Sequence, residues 1–354
     1  LKTLNIFQKM NYSTILVTGG TGYVGSWIVK KLLESGHTVR ITVRDKSRTS
    51  KYATLQQIAD QSSGTLELWE ADLLAPGSFD GAAKGSDAVI HVASPFMIKV
   101  RDPQKELVDP ALEGTRNVLS AATKSGTVRK VVLTSSVAAI HGDNADMAEQ
   151  GLAMFNEESF NTTSSLNHSP YSYSKVLAEK EAWSIAETQS AWKLVVVNPS
   201  LVLGPPLMGD SASGSFSIMQ DMLRGTYRFG APDIRFGYVD VRDVADAHLL
   251  ALQKGDAHGR YLLAERTSGI IEIAHMIRTT FGDKYQMPKG LIPKWSMYVV
   301  GPFTGLKWSF IHRGVGHSLE LDASKSRDQL GLRYTPLEKT VSDMVVAMEE
   351  LGLV

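Results

Sequence analysis

The chain predicts an α/β protein: a doubly wound parallel sheet followed by a smaller, discontinuous C-terminal lobe. Three features of its 354 residues carry that expectation. A glycine turn joins an apolar run to a helical pattern near the N-terminus. Short β-rich runs then alternate with helices as far as Pro199, and beyond that point the alternation stops. Alternating elements imply a parallel sheet covered on both faces, because each parallel connection needs a crossover.

Taken in order, Ile15 to Val17 reads as a short buried strand, and Gly22 to Leu33 has helical periodicity that stops at Ser35-Gly36. A second strand, Thr38 to Val43, follows at once. Further strands are expected at Leu66 to Trp69, Ala88 to Val92, Val131 to Leu133 and Leu194 to Val197, with helices at Val108 to Ser125 and Tyr171 to Thr188. The dinucleotide-type domain therefore spans residues 12–200. After it, Gly204-Pro205-Pro206 and a Gly/Ser-rich stretch break the pattern. Tyr238 to Val244 reads as a return to the sheet followed by a helix start, and Arg260 to Ala264 as another strand, so residues 238–264 rejoin the first domain. Residues 201–237 and 265–345 are left as a substrate-binding lobe. Within it, Pro288 to Gly316 is expected over the cleft, and the apolar run Met297 to Phe303 is expected to be buried there. Residues 1–9 read as an extension or an expression remnant before Met10.

Composition narrows the class. Lys plus Arg equals Asp plus Glu at 37 each, so no strong net field attracts nucleic acid or an anionic membrane. The absence of cysteine removes disulfides, thiolate nucleophiles and Cys-ligated zinc, and fits a cytoplasmic setting. No stretch reaches the roughly 20 apolar residues a membrane span requires.

Gly19, Gly22 and Gly25 have the spacing Gly-x-x-Gly-x-x-Gly within Thr18-Gly19-Gly20-Thr21-Gly22-Tyr23-Val24-Gly25. The first permits the strand-to-helix turn, the second lets backbone approach a pyrophosphate, and the third lets helix and strand pack closely. The helix N-terminus then aims N–H groups and the positive dipole end at the anion. A glycine-rich turn alone is weak evidence; its strand–helix–strand setting makes it a dinucleotide signature. At the end of the second strand NAD selection usually needs a carboxylate, but Arg44 stands there. A guanidinium suits a 2′-phosphate, and Lys51 adds a second cation, so the expected cofactor is NADP (NADPH) rather than NAD. Asp45 is free to pair with Arg44 or to face solvent.

Tyr171 and Lys175 are four residues apart in a helical segment and share a face. A neighbouring ammonium, together with the positive oxidised nicotinamide, favours the phenolate; ionising near neutrality takes about 4 kcal/mol of differential interaction. Tyr173, two residues from Lys175, points elsewhere. Ser136 closes Thr134-Ser135-Ser136 at the carboxyl edge of a strand, where such sheets bind ligands, and its hydroxyl can hold a substrate oxygen. Ser136, Tyr171 and Lys175 are the expected catalytic set.

In these residues the chain resembles the extended short-chain dehydrogenase/reductases, in particular the dihydroflavonol reductase, cinnamoyl-CoA reductase and yeast-type aldehyde/ketone reductase group. The likeness runs from about Ile15 to Leu351 through the glycine turn, Thr42-Val43-Arg44-Asp45, Ala71-Asp72-Leu73, His91-Val92-Ala93-Ser94-Pro95, Leu133 to Ser136, Tyr171 to Lys175 and Asn198 to Pro205. It implies a Rossmann domain that binds NADPH and reduces a small-molecule carbonyl substrate, as a monomer or homodimer. It further implies that Thr21, Tyr23 and Val24 line the phosphate turn, Asp72 and Leu73 border the adenine, and Val92, Ala93, Ser94 and Thr134 line the cofactor trough. Pro199 and Val202 would flank the nicotinamide, joined by Ser215, and Lys175 would bond the ribose.

Departures limit the substrate. His141 stands where plant dihydroflavonol reductases carry Asn, and the cinnamoyl-CoA reductase signature is missing around Tyr171; Asn156-Glu157-Glu158-Ser159-Phe160 is closer to the yeast-type enzymes. His141 is a candidate substrate contact, against the commoner role of a structural histidine, and His91 in its apolar run reads as a satisfied core residue. Asp240, Asp243 and Asp246 suit capping and surface pairing rather than metal. The alternatives are an NAD-dependent sugar-nucleotide epimerase or dehydratase, or a sterol-type 3-beta-hydroxyl dehydrogenase, on the same fold. Val137-Ala138-Ala139 stands where a dehydratase carries an Asp-Glu pair. A dinucleotide-binding sensor without catalysis is disfavoured because both Tyr171 and Lys175 are present.

Overall fold

The structure is a computed structural model that describes residues 12–94, 100–209, 214–301 and 307–354; residues 1–9 lie outside it, and the side chains of Ser215 and Val300 are outside the description. Seven strands form the main sheet: β1 (Thr14–Thr18), β2 (Thr38–Val43), β3 (Thr65–Glu70), β4 (Ala88–His91), β5 (Lys130–Thr134), β6 (Lys193–Pro199) and β9 (Gly259–Leu263). Their order is β3-β2-β1-β4-β5-β6-β9 and every pairing is parallel. The strand order reverses beside β1, which opens a crevice at the carboxyl ends of β1 and β4.

Side chains of successive residues point to opposite faces, and both faces are buried. Ile15 and Val17 pack with Ile28, Val29, Leu32 and Leu33 of the Tyr23–Glu34 helix and with Leu249 and Leu252 of the Val241–Gln253 helix. Leu16 turns the other way, to Val118 and Leu119 of the Asp109–Lys124 helix. The same alternation separates Val132 from Val131 and Leu133. Continuous apolar strands of this kind belong to a parallel sheet covered by helices.

A second sheet of three strands sits apart, in the order β10-β8-β7: β7 (Leu201–Leu203), β8 (Arg235–Asp240) and β10 (Arg266–Gly269). The return to the main sheet expected at Tyr238 therefore comes one strand later, at β9. Tyr238 pairs with Leu201 and Arg266 instead. Periodicity shows that a strand exists; it carries no information about which edge the strand will find. The lobe core gathers Phe216, Met219, Ile273, Ile277, Val341 and Met344 from helices far apart in sequence.

The three aspartates are partly at odds with surface roles. Asp240 caps the Val241–Gln253 helix by accepting from the Arg242 N–H at 2.8 Å, yet it is buried; so is Asp243, which accepts from Thr335 N–H and Oγ1 at 2.6 and 2.9 Å. Asp246 pairs with Lys31 at 2.7 Å. No helix among the described residues is long and apolar enough to cross a membrane.

Candidate active site

β1 ends at Thr18, and the backbone turns into the Tyr23–Glu34 helix through Gly19, whose φ is +69°. A Cβ there would lie 2.8 Å from the backbone of Ala93, and one on Gly25 would lie 2.1 Å from the Gly19 carbonyl oxygen. Both contacts exclude a side chain, so strand, turn and helix approach as closely as bare backbone allows. Gly22 is the N-cap and offers no side-chain acceptor, which leaves the helix's first N–H groups for an anion. Tyr23 is tied down by donating its hydroxyl to the Gly204 carbonyl at 2.6 Å, and Trp27 donates to Pro205 at 2.8 Å; the glycine-turn helix thereby grips the entry to the lobe.

At the end of β2, Asp45 accepts from the Ser47 N–H and hydroxyl at 2.9 and 2.6 Å. It is thus occupied by its own turn, and Arg44 forms no ion pair among the described residues. Arg44, Arg48 and Lys51 are exposed and line one end of a cleft of about 1220 Å³, with Asp72 and Leu73 at the end of β3. A cradle of close-packed glycines beside a set of cations fits a pyrophosphate and a 2′-phosphate.

Ser136, Tyr171 and Lys175 line the same cleft. Ser136 follows β5 and caps the turn Val137–Ala139, accepting from the Ala138 N–H at 3.1 Å. Ser169, with φ +54°, is the one non-glycine residue of positive φ among those described. It turns the chain into Pro170, which starts the helix Pro170–Glu187 and sets Tyr171 in its first turn. The Tyr171 hydroxyl is hydrogen-bonded to Ser136, and Lys175 Nζ lies 5.7 Å from the Tyr171 ring centroid while donating to Ser94 Oγ at 2.8 Å. Tyr173 does not line the cleft.

Burial decides the charge states. It pushes the Tyr171 phenol up to about 12, with the Ser136 hydrogen bond opposing. Burial likewise lowers Lys175 to about 8, against the charge of Glu179, which raises it. His91 shares a 2.7 Å hydrogen bond with Thr18 Oγ1, and His248 shares one with Thr134 Oγ1, also at 2.7 Å. Burial keeps both neutral, lowering them to about 3 and about 4.

Of the residues singled out in the sequence, Gly19, Thr21, Gly22, Tyr23, Val24, Gly25, Arg44, Lys51, Asp72, Leu73, Val92, Ala93, Ser94, Thr134, Ser136, Tyr171, Lys175, Pro199 and Val202 all line this cleft; the Ser215 side chain lies outside the description. His141 lines it too, stacked on Phe155 at 5.0 Å between centroids. The sequence reading missed Ile218, Phe236, Gly237 and Leu319, which close its far end. They come from three segments with no shared motif, Phe236 and Gly237 being neighbours on β8, and only folding joins them. No described residue of Pro288 to Gly316 lines the cleft, contrary to expectation. Met297 is buried against Ile234, Ile311 and Val315, but Trp295 and Val299 beside it are exposed.

Similarity to known proteins follows the same outline. The model of the NAD dependent epimerase/dehydratase family matches residues 15–264. A cinnamoyl-CoA reductase, CAD2, of Medicago truncatula is 34% identical over 344 residues, 96% of each chain. A bifunctional dihydroflavonol 4-reductase/flavanone 4-reductase of Pyrus communis is 33% identical over 78% of each chain. Among solved structures, Gre2 of Candida albicans in complex with NADPH superposes with a TM-score of 0.78 at 30% identity, covering 96% of this chain and 99% of that one. The yeast methylglyoxal/isovaleraldehyde reductase Gre2, also with NADPH, gives 0.78 at 27% identity over 96% and 100%.

Proposed function

The chain belongs to the NAD dependent epimerase/dehydratase family, among the extended short-chain dehydrogenase/reductases, and we propose that it is an NADPH-dependent carbonyl reductase whose general acid is Tyr171. The reading is carried by one observation: Ser136, Tyr171 and Lys175 share a wall of a cleft whose other end is a glycine turn flanked by Arg44 and Lys51. When bound, NADPH supplies the hydride. Arg44 and Lys51 hold the 2′-phosphate, the glycine turn holds the pyrophosphate, and Lys175 with Ser94 holds the nicotinamide ribose.

Ser136 donates to the substrate oxygen and steadies the charge that develops there. Tyr171 delivers the proton to that oxygen. A phenol held near 12 keeps its proton through the physiological range, which suits an acid in the reducing direction. Lys175, lowered to about 8, is protonated below that pH; reduction is expected to decline as pH rises through about 8 and the ammonium is lost. The substrate end combines Ile218, Phe236 and Leu319 with His141, which suits small or medium aldehydes and ketones with an apolar body.

A panel of carbonyl substrates with NADPH and NADH side by side tests the reading. Turnover with NADPH preferred, and a loss of roughly 10²- to 10⁴-fold in Tyr171→Phe with unchanged circular dichroism, is the expected result. Near-normal turnover in Tyr171→Phe would end the assignment.

A further inference from the structure

Beneath the catalytic residues lies a charged group that no step above uses. Glu179 stands one turn beyond Lys175 on the same helix and is completely buried. Its Oε2 accepts from Ser135 Oγ and from Asn198 Nδ2, the latter at 2.8 Å. Oε1 lies 2.6 Å from Arg260 Nε. Arg260 is buried too: its NH1 donates to the carbonyls of Glu157 and Ser159 at 2.9 and 2.6 Å, its NH2 donates to Ala139 at 3.3 Å, and its guanidinium lies over the Phe160 ring at 3.9 Å. Asn198 Nδ2 also reaches the Ser136 carbonyl at 3.2 Å. One carboxylate thus gathers the loop after β5, the middle of the catalytic helix, and the β6 and β9 strands.

Burying a carboxylate and a guanidinium together is costly, and apolar residues of similar volume often stabilise a fold as well or better. The position of this pair is therefore informative. Its arms reach the loop that carries Ser136, the turn that follows it and the segment of Glu157 and Ser159, and Glu179 itself stands on the helix that carries Tyr171 and Lys175. A small cavity of about 20 Å³ is lined by Glu179, Lys175, Ser94 and His91, so the two charged residues border the same small space.

Resting on the reductase reading above, we propose that Glu179 is a positioning residue of the reaction: held by Arg260, it fixes the backbone of Ser136 through Asn198 and serves as the buried counter-charge of Lys175. Two consequences differ from those of a merely structural pair. Loss of the negative charge leaves burial unopposed at Lys175, so the ammonium gives up its proton at lower pH. Loss of the Asn198 tether lets the Ser136 hydroxyl drift from the substrate oxygen, which lowers kcat more than it raises KM.

The experiment compares the parent with Glu179→Gln, Glu179→Asp and Asn198→Ser. Turnover uses NADPH and isovaleraldehyde, or whichever carbonyl of the panel reacts fastest, from pH 6 to 10. NADPH affinity is followed in parallel by its fluorescence. Glu179→Gln keeps the shape of the side chain and should move the alkaline limb of kcat, and the pH dependence of NADPH affinity, down by about one pH unit. Glu179→Asp keeps the charge and should leave that limb in place while kcat falls. Asn198→Ser should lower kcat about tenfold with the limb unmoved. An alkaline limb unchanged in a folded Glu179→Gln overturns the counter-charge role. If Glu179→Gln does not fold, the other two variants decide, and kcat within twofold of the parent in both overturns the proposal. Tyr171→Phe runs alongside: turnover retained there sinks the reductase reading itself, whereas turnover lost there with Glu179 variants behaving as parent sinks only this inference.

Discussion

The two halves of the molecule are packed from different materials. Around the seven-stranded sheet the buried clusters are almost wholly Ile, Val, Leu and Ala, with Met208 the one methionine among them. The lobe core contains Met219, Met222, Met287, Met344 and Met348. Branched aliphatic side chains have few rotamers and define one arrangement, whereas methionine fills irregular gaps and readily changes shape. The joints differ as well. Gly25 packs so closely on Gly19 that no Cβ fits, while Arg313 ties the lobe to the first domain through an ion-pair cluster, beside a short backbone pairing of Phe155 with Leu321. The contrast suggests a division of labour in which the sheet half presents the cofactor residues rigidly and the lobe adapts to what is reduced.

Four outcomes would sharpen or break that contrast. The largest effect is expected on the rigid side. Arg44→Ser should weaken NADPH binding roughly tenfold to a hundredfold and leave NADH nearly untouched, as isothermal titration would read. Equal weakening of both would show that Arg44 does not meet the 2′-phosphate.

On the lobe side, Arg313 bonds Asp143 Oδ2 at 2.7 Å, Asp146 Oδ1 at 2.5 Å and Glu149 Oε2 at 2.7 Å. Its removal strands the buried Asp146, and Arg313→Ala should cost about 2 kcal/mol in urea unfolding. That is the low end for a broken buried pair, because the guanidinium is 25% exposed. The KM for carbonyl substrates should rise while NADPH affinity holds. A matching loss of NADPH affinity would mean that the halves are not energetically separable.

Acid should act mainly on the sheet half, where His91 and His248 are held neutral by burial. Their folded values lie below the ordinary 6.5, so as pH falls through about 6.5 the unfolded chain takes up protons that the folded one refuses. Stability is full above that pH and declines from it toward about 4 for His248 and about 3 for His91, which urea midpoints at pH 7.5 and pH 5 would reveal. A midpoint that does not fall would show both rings open to protonation in the fold. The smallest change is expected for Met344→Leu in the lobe, below about 1.5 kcal/mol, since volume is nearly conserved. A larger loss would mean that the lobe core is as exacting as the sheet.

How far each half could be read from the chain follows the same contrast. Ile15 to Val17, the glycine turn and Thr38 to Val43 are contiguous, and their spacing states their geometry, so the glycine-turn end of the cleft was legible in the chain. The substrate end was not. Phe236 sits on a six-residue strand and Leu319 in a loop, and nothing nearby in sequence relates them to Tyr171. Tyr238 looked like any strand start, and its partners Leu201 and Arg266 were decided by which edge lay open. Trp295 and Val299 carry an apolar pattern whose exposed outcome depends on neighbours beyond the window.

The sequence by itself determined the sheet, the glycine turn, the cation set at the end of β2 and that Ser136, Tyr171 and Lys175 belong to one site. Each of these is written in local spacing, through the period of a strand, the turn of a helix or the room a missing Cβ leaves. Only the tertiary structure decided how deeply the Tyr171 phenol is buried, that Glu179 and Arg260 meet under the Ser136 loop, and which lobe residues line the cleft. Burial and long-range pairing depend on every element that packs against a residue, and most of those elements are distant along the chain.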